Sequence, residues 1–265
     1  MPIRDQDGVT NERLLTLARD LRRRKTRERS TLFVVEGVRT AEELLNSTLS
    51  IRGALATAAF RATPRGHAVL DGLAKRGTQL AEVSESELES AADTEQPQGI
   101  LAVAEIPSHS FESLAKAIGQ TVRVLVLDAV QDPGNAGTLV RTGAALGASA
   151  VIALSGTADL WNAKAVRGAA GAHFRVPTLQ CSPNDLVRFL REQRIPLWGA
   201  AADGTPIDAV VAPRRLALAV GNEGAGLSVA VLDAVERVIA LPMAGGIESL
   251  NVAVAAGIAL YALRP

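Results

Sequence analysis

Cysteine, histidine and aromatic side chains are all scarce in this chain, and each scarcity closes off a class of protein. One of the 265 residues is a cysteine, Cys181, so no intrachain disulfide can form and a secreted disulfide scaffold is excluded. Cys181 reads as a small apolar residue. The three histidines, His67, His109 and His173, lie far apart and have no second His, Cys or carboxylate at ligand spacing, so no metal site is expected. Five Phe, two Trp and one Tyr are too few for an aromatic platform that stacks bases. The longest apolar stretch, 252–263, has 12 residues, against the roughly 20 that a membrane-spanning helix needs. The charged and polar opening from Arg4 to Glu12 lacks the apolar core of a signal peptide. A cytoplasmic protein with no membrane contact is expected.

Net charge is also absent. A formal charge of zero argues at first sight against a nucleic-acid partner, because phosphate binding leaves a basic signature. The average hides two opposed runs. Between Arg19 and Arg29 lie seven basic residues against two acidic ones, whereas Glu82 to Glu95 carries six acids and no base. The basic run reads either as a solvated helix face or as a set of phosphate contacts, with Arg23, Lys25, Arg27 and Arg29 as the candidates. Such contacts position an RNA without reading its sequence.

What is present is apolar patterning. At 48% hydrophobic content the chain can build two buried cores. Residues 10–25 read as one helix with Thr10 or Asn11 as N-cap. Strands are expected at 32–37, 51–59, 80–83 and 100–103, with helices at 38–45 and 69–76, a small α/β domain. IPSHS (106–110) is the linker candidate, ahead of a helical pattern from Phe111. The expected division is 1–107 as a first domain, 108–120 as linker and entry helix, and 121–265 as a second domain. In that second domain VRVLVL (122–127), AVIAL (150–154), PLWGAA (196–201), LALAV (216–220) and RVIAL (237–241) are near-continuous apolar strands. Helical segments between them predict a parallel sheet covered on both faces.

Three polar, glycine-rich blocks each follow a strand of that sheet, where ligands of open α/β sheets bind. They are PGNAGTLVRTGAALG (133–147), GNEGAGLS (221–228) and LPMAGGIESLNVAVAAG (241–257). The common nucleotide signatures do not fit: no Gly-Lys pair makes a P-loop, and GNEGAG reverses the dinucleotide glycine spacing. Ser249 has no G-x-S-x-G elbow, so a serine hydrolase is unsupported. Each block also admits a plain reading. Asn135 is a preferred cap, Arg141 a good helix former, GNEGAGLS a strand-to-helix turn, and the alanine-rich third block a tightly packed helix.

In order and chemistry the blocks resemble the SpoU (TrmH-like) branch of the SPOUT RNA methyltransferases. The resemblance extends more weakly to NAKAVRGAAGAHFRVP (162–177), where Ala169 replaces a serine common in relatives, so a hydroxyl contact there is not carried over. Arg23, Lys25, Arg29 and the Glu36-Gly37 pair resemble the start of the ribosomal-protein-like substrate-binding domain attached to many such enzymes. The implied fold is that small α/β domain followed by a SPOUT parallel-sheet domain with a trefoil knot, in a homodimer. The implied reaction is methyl transfer from S-adenosylmethionine to a ribose 2′-hydroxyl of structured RNA, 23S-type ribosomal RNA ahead of transfer RNA. Asn135, Arg141, Glu223, Ser249 and Asn251 match the family's catalytic region, and Gly221, Leu241, Met243 and Leu250 its cofactor contacts. Family accounts often make Arg141 a general base. Arginine is a fixed cation in proteins, so stabilisation of developing alkoxide is its minimum role. The alternative from another class is a non-catalytic RNA-binding or ribosome-assembly factor that retains the fold.

Overall fold

The computed structural model describes residues 11–245 and 249–264. Their contacts group into two compact units: residues up to 107 together with 161–174, and 108–160 together with 175 onward. Segment 161–174, expected within the second domain, therefore packs with the first. Its apolar side chains explain this: Trp161, Val166 and Phe174 join the core around Phe33, with the Trp161 and Phe33 rings 4.6 Å apart.

The first unit runs α1 (Asn11–Asp20), α2 (Arg24–Ser30), β1 (Leu32–Glu36), α3 (Val38–Leu45), β2 (Ile51–Ala56), α4 (Ala58–Arg61), α5 (Pro64–Lys75), β3 (Leu80–Glu82), α6 (Glu85–Ala91) and β4 (Ile100–Glu105). The sheet order is β1-β4-β2-β3, with β4 antiparallel to both neighbours and β2 parallel to β3. Both sheet faces are covered, so successive residues alternate between cores. Phe33 and Val35 face one cluster while Val34 joins Leu14, Leu15 and Leu21 in the other.

The single helix expected over 10–25 is two helices. Arg27 is the reason: its guanidinium donates to the carbonyls of Leu21 at 2.6 Å and Arg22 at 2.9 Å, satisfying groups that the end of α1 leaves open. Asn11 lies in the first turn of α1, and Thr10 lies outside the described residues. The acidic run 82–95 contains α6, unexpected from charge alone, although Ser84 and Glu87 form a capping box with both bonds made.

The second unit runs α7 (Phe111–Ala117), β5 (Val122–Leu127), α8 (Pro133–Ala145), β6 (Ala150–Leu154), β7 (Thr178–Cys181), α10 (Pro183–Glu192), β8 (Leu197–Pro206), β9 (Arg215–Val220), α11 (Val229–Leu232), β10 (Arg237–Ala240) and α12 (Val252–Ala262); α9 (Ala163–Ala169) lies in segment 161–174. Six strands in the order β10-β8-β9-β5-β6-β7 make the expected parallel sheet. Helices α7, α10 and α11 bury Leu114, Leu186, Phe189 and Val231 with one set of strand residues. On the other set, Leu125 and Val151 lie against Gly143 of α8.

Two features position the site. Strands β5, β9 and β10 release their chains from their carboxyl ends into the three blocks. Between β8 and β10 the register jumps from Val238–Gly199 to Ile239–Thr205, leaving 200–204 outside the ladder and opening space beside β10. Gly204 is required there, because a Cβ would stand 2.4 Å from the Ile239 carbonyl carbon.

Candidate active site

The first block begins α8. Asp132 is its N-cap, accepting from Gly134 N at 3.2 Å, and Pro133 occupies the first helical position, where its fixed φ and missing N–H cost nothing. Asn135 is thus an early helix residue rather than the cap that its type suggests. Arg141 lies six residues on, exposed on α8.

The second block closes on itself. Asn222 N donates to Gly226 O at 2.8 Å and Gly226 N returns a bond to Asn222 O at 3.0 Å. A Cβ on Gly221 would lie 2.2 Å from the Gly226 carbonyl carbon, so glycine is needed there for loop closure. Gly226 itself has φ +71°, a conformation that glycine adopts without strain.

The loop is tied to the chain leaving β5 at several points. Asp128, 2% exposed, accepts from Ser228 N at 2.6 Å, a charge-assisted bond. Asn222 Nδ2 donates to Ala129 O at 3.0 Å, and Ala129 takes φ +56° to present that carbonyl. Glu223 accepts from Asn135 Nδ2 at 2.9 Å and from Gln131 N at 3.5 Å. Burial opposes ionisation of Glu223, but bonds from Asn135 and the backbone N–H groups of its own residue, Gln131 and Asp132 outweigh it and hold the carboxyl below 4.5. Glu223 is a carboxylate at neutral pH.

From the third block, Asn251 caps α12, its Oδ1 accepting from Ala253 N and Val254 N. Its Nδ2 donates to Asn135 Oδ1 at 3.0 Å. Residues 246–248 of this block lie outside the described residues.

A cavity of about 300 Å³ opens where these loops meet, lined by Gly221, Glu223, Leu241, Met243, Ser249 and Leu250 and floored by Ala200 to Ala202. That volume is at the small end of the range for small-molecule sites. Met243 and Leu250 are 37% and 40% exposed, an apolar rim suited to covering a ligand. The structure thus gathers Gly221, Leu241, Met243, Leu250, Glu223 and Ser249 around one space, with Asn135 and Asn251 bonded at its edge. Arg141 is not among the residues joined there. Arg23, Lys25 and Arg29 are exposed on or beside α2, in the other unit. Arg27 corrects the sequence reading: at 4% exposure and bonded to two carbonyls, it is no surface phosphate contact.

Asp128 and the 200–204 bulge escaped the sequence reading. A lone Asp ending an apolar strand was the available signal for the first; a register jump leaves none. Cys181, read from the sequence as a small apolar residue, has its pKa pushed up to about 11 by burial and then by Asp185. Among the described residues no group of three or more His, Cys, Asp or Glu is placed to hold a metal, and no helix is long and apolar enough to cross a membrane.

A parallel α/β unit whose carboxyl-end loops line a small-molecule cavity, together with a second α/β unit, is the architecture of a ligand-binding protein. The chain belongs to the SpoU rRNA methylase family, whose model matches residues 122–261; the model of the MRM3-like substrate binding domain matches 13–102. It is 36% identical over 92% of its length, and 93% of the relative's, to the 23S rRNA (guanosine(2553)-2′-O)-methyltransferase RlmP of Bacillus subtilis. It is 33% identical to the 23S rRNA (guanosine-2′-O-)-methyltransferase RlmB of Bordetella pertussis, over 77% of this chain and 84% of that one. Among solved structures, the SpoU methyltransferase AviRb of Streptomyces viridochromogenes with its cofactor AdoMet superimposes with a TM-score of 0.84 at 25% identity, covering 94% of this chain and 96% of that one. The AdoMet-bound rRNA methyltransferase of Sinorhizobium meliloti gives 0.82 at 26% identity, with 94% and 93% covered.

Proposed function

We propose that this protein transfers a methyl group from S-adenosylmethionine to the ribose 2′-hydroxyl of a guanosine in 23S ribosomal RNA. The observation that carries the reading is the convergence of the second and third blocks on one cavity, with the first block bonded to its edge through Asn135. The names of the relatives at 36% and 33% identity support the RNA and the nucleoside.

The residues present fit the cofactor. Leu241, Met243 and Leu250 offer apolar cover, Gly224 leaves backbone accessible beside Gly221, and Glu223 supplies an anion. When bound, S-adenosylmethionine supplies a methyl carbon activated by positive sulfur. The chain's task is to align a weak alcohol nucleophile and to favour the charge that develops on its oxygen. Ser249, which lines the cavity, and Asn251, bonded to Asn135, orient the ribose. Arg141, a cation on the exposed side of α8, stabilises the developing alkoxide.

The active form is a knotted homodimer in the cytoplasm. Val254, Ile258 and Tyr261 of α12 are 51%, 46% and 55% exposed and lie along one face of that helix, an apolar stripe suited to a second copy. Arg23, Lys25 and Arg29 bind RNA phosphates.

Mapping ribose methylation across total RNA with and without the protein tests the reading. One lost guanosine site in 23S RNA is expected. A lost site in transfer RNA, or no lost site in any RNA, overturns it. Arg141→Ala is expected to cut turnover strongly with cofactor affinity unchanged, and near-normal methylation would sink its assignment.

A further inference from the structure

Among the described residues that line the cavity, Glu223 is the only charged one. The remainder of the wall is aliphatic, glycine, or the neutral polar groups of Asn222 and Ser249. Asn135 fixes the carboxylate from outside at 2.9 Å, and Asn135 is held in turn by Asn251 at 3.0 Å. The groups that donate to the Glu223 oxygens from other residues are the Asn135 amide and the backbone N–H groups of Gln131 and Asp132, all neutral.

A fixed negative charge in an otherwise uncharged cleft discriminates among ligands of like shape by their charge. Resting on the function proposed above, we infer that Glu223 is a specificity residue that favours the cationic sulfonium substrate over its neutral thioether product. Methyl transfer removes the positive charge from sulfur, because the C–S bonding pair stays on sulfur as a lone pair of the hydroxyl oxygen forms the C–O bond and the hydroxyl proton passes to solvent water. S-adenosylmethionine carries one more positive charge than S-adenosylhomocysteine and otherwise differs from it by a single methyl group. The carboxylate therefore attracts the incoming ligand and loses that attraction once the reaction is done, so product release is built into the site. Glu223 is open to solvent, which screens the effect; for opposite charges sharing such a cleft, a factor of about three to five in relative affinity is expected.

Calorimetric titration of the intact protein with S-adenosylmethionine, S-adenosylhomocysteine and sinefungin, a cationic analogue with an amine in place of the sulfonium, reads this directly. The quantity is the ratio of the product's Kd to that of each cationic ligand. Glu223→Gln keeps the size of the side chain and an oxygen for Asn135 while removing the charge, and is expected to lower both ratios by about three- to fivefold. Glu223→Asp retains the charge and is expected to recover at least half of the preference on a logarithmic scale. Thermal melting of each variant establishes that it is folded. Equal changes in the affinities of all three ligands in Glu223→Gln, leaving the ratios as in the unaltered protein, overturn the inference while leaving the cofactor reading intact. Absence of binding by any of the three to the unaltered protein overturns the cofactor reading itself.

Discussion

Asn251 and Asn135, 116 residues apart in sequence, are joined by one hydrogen bond, Nδ2 of Asn251 to Oδ1 of Asn135 at 3.0 Å. The polarity of that bond is dictated from both ends. Asn251 must turn its Oδ1 toward the open N–H groups of α12, which leaves its Nδ2 to donate. Asn135 must turn its Nδ2 toward the Glu223 carboxylate, which leaves its Oδ1 to accept. The start of α12, the start of α8 and the 221–228 loop are thereby linked through side chains that carry no transferable proton at neutral pH. The chain of bonds is a strut and not a proton relay.

Replacing Asn251 separates its two duties. Asn251→Asp keeps a strong N-cap acceptor and loses the donor to Asn135, so the melting temperature is expected to fall by no more than about 2 °C while methyl transfer drops. Asn251→Ala loses the cap as well, about 1 kcal/mol, which for a chain of this size is roughly 2–4 °C. Calorimetric melting beside initial rates distinguishes them. Equal rates for Asn251→Asp and the unaltered protein would show that catalysis does not require Asn251 to orient Asn135.

Two glycines of the second block are expected to behave differently although they are three residues apart. Gly221→Ala drives a Cβ to 2.2 Å from backbone and is expected to cost about 1–3 kcal/mol, as overpacking does. The nearest atom to a Cβ on Gly224 is Asn222 Oδ1 at 3.7 Å, an ordinary contact, and Gly224→Ala should fall within about 0.5 kcal/mol. Urea unfolding gives both numbers. Similar losses at the two positions would contradict the closed-loop geometry.

Strands buried on both faces were the most legible part of the chain. VRVLVL and AVIAL form strands with the bounds expected, because runs of Val, Leu and Ile, broken only by Arg123 in one and by alanines in the other, admit few alternatives inside a covered parallel sheet. Edge strand β7, TLQC, has its apolar side chain between polar ones and gave no such run. Of the residues around the cavity, those of the second and third blocks lay in segments that the sequence marked, whereas Ala200 to Ala202 carried no signal. Arg27 was misread for a physical reason: in a run of seven basic residues nothing local tells which one turns inward, and that choice is made by the carbonyls of Leu21 and Arg22. Segment 161–174 packs with Phe33 and Glu36, over a hundred residues away, a partnership that no local pattern announces.

The basic run should therefore split in mutagenesis. Arg27→Ala leaves the buried Leu21 carbonyl and the part-buried Arg22 carbonyl without their donor and is expected to cost about 1–3 kcal/mol, with RNA affinity affected only through folding. Arg23→Ala, Lys25→Ala and Arg29→Ala should melt within about 2 °C of the unaltered protein. Each should weaken RNA binding and flatten the plot of log affinity against log salt by about 0.7–0.9 for every phosphate that it no longer neutralises. Filter binding across a salt series measures the slope. An unchanged slope in the triple variant would place the RNA surface elsewhere.

Acid should act on the strut through Glu223. Its carboxyl is held below 4.5 in the folded chain, so the folded state binds its proton less readily than the unfolded state does. By linkage, the stabilisation is fully present above the unfolded value and is lost as pH falls through the lower folded value. Between about pH 5 and 8 the bond from Asn135 and the preference for a cationic ligand are therefore expected to stay constant, with both weakening only in more acid solution. Carbon-13 shifts of the Glu223 carboxyl, followed from about pH 7 downward and compared with Asn135→Ala, check this. Removing the Asn135 donor should move the midpoint upward, because burial, which opposes the charge, then faces fewer compensating bonds. A midpoint unmoved by that substitution would show that Asn135 does not hold the carboxylate in solution.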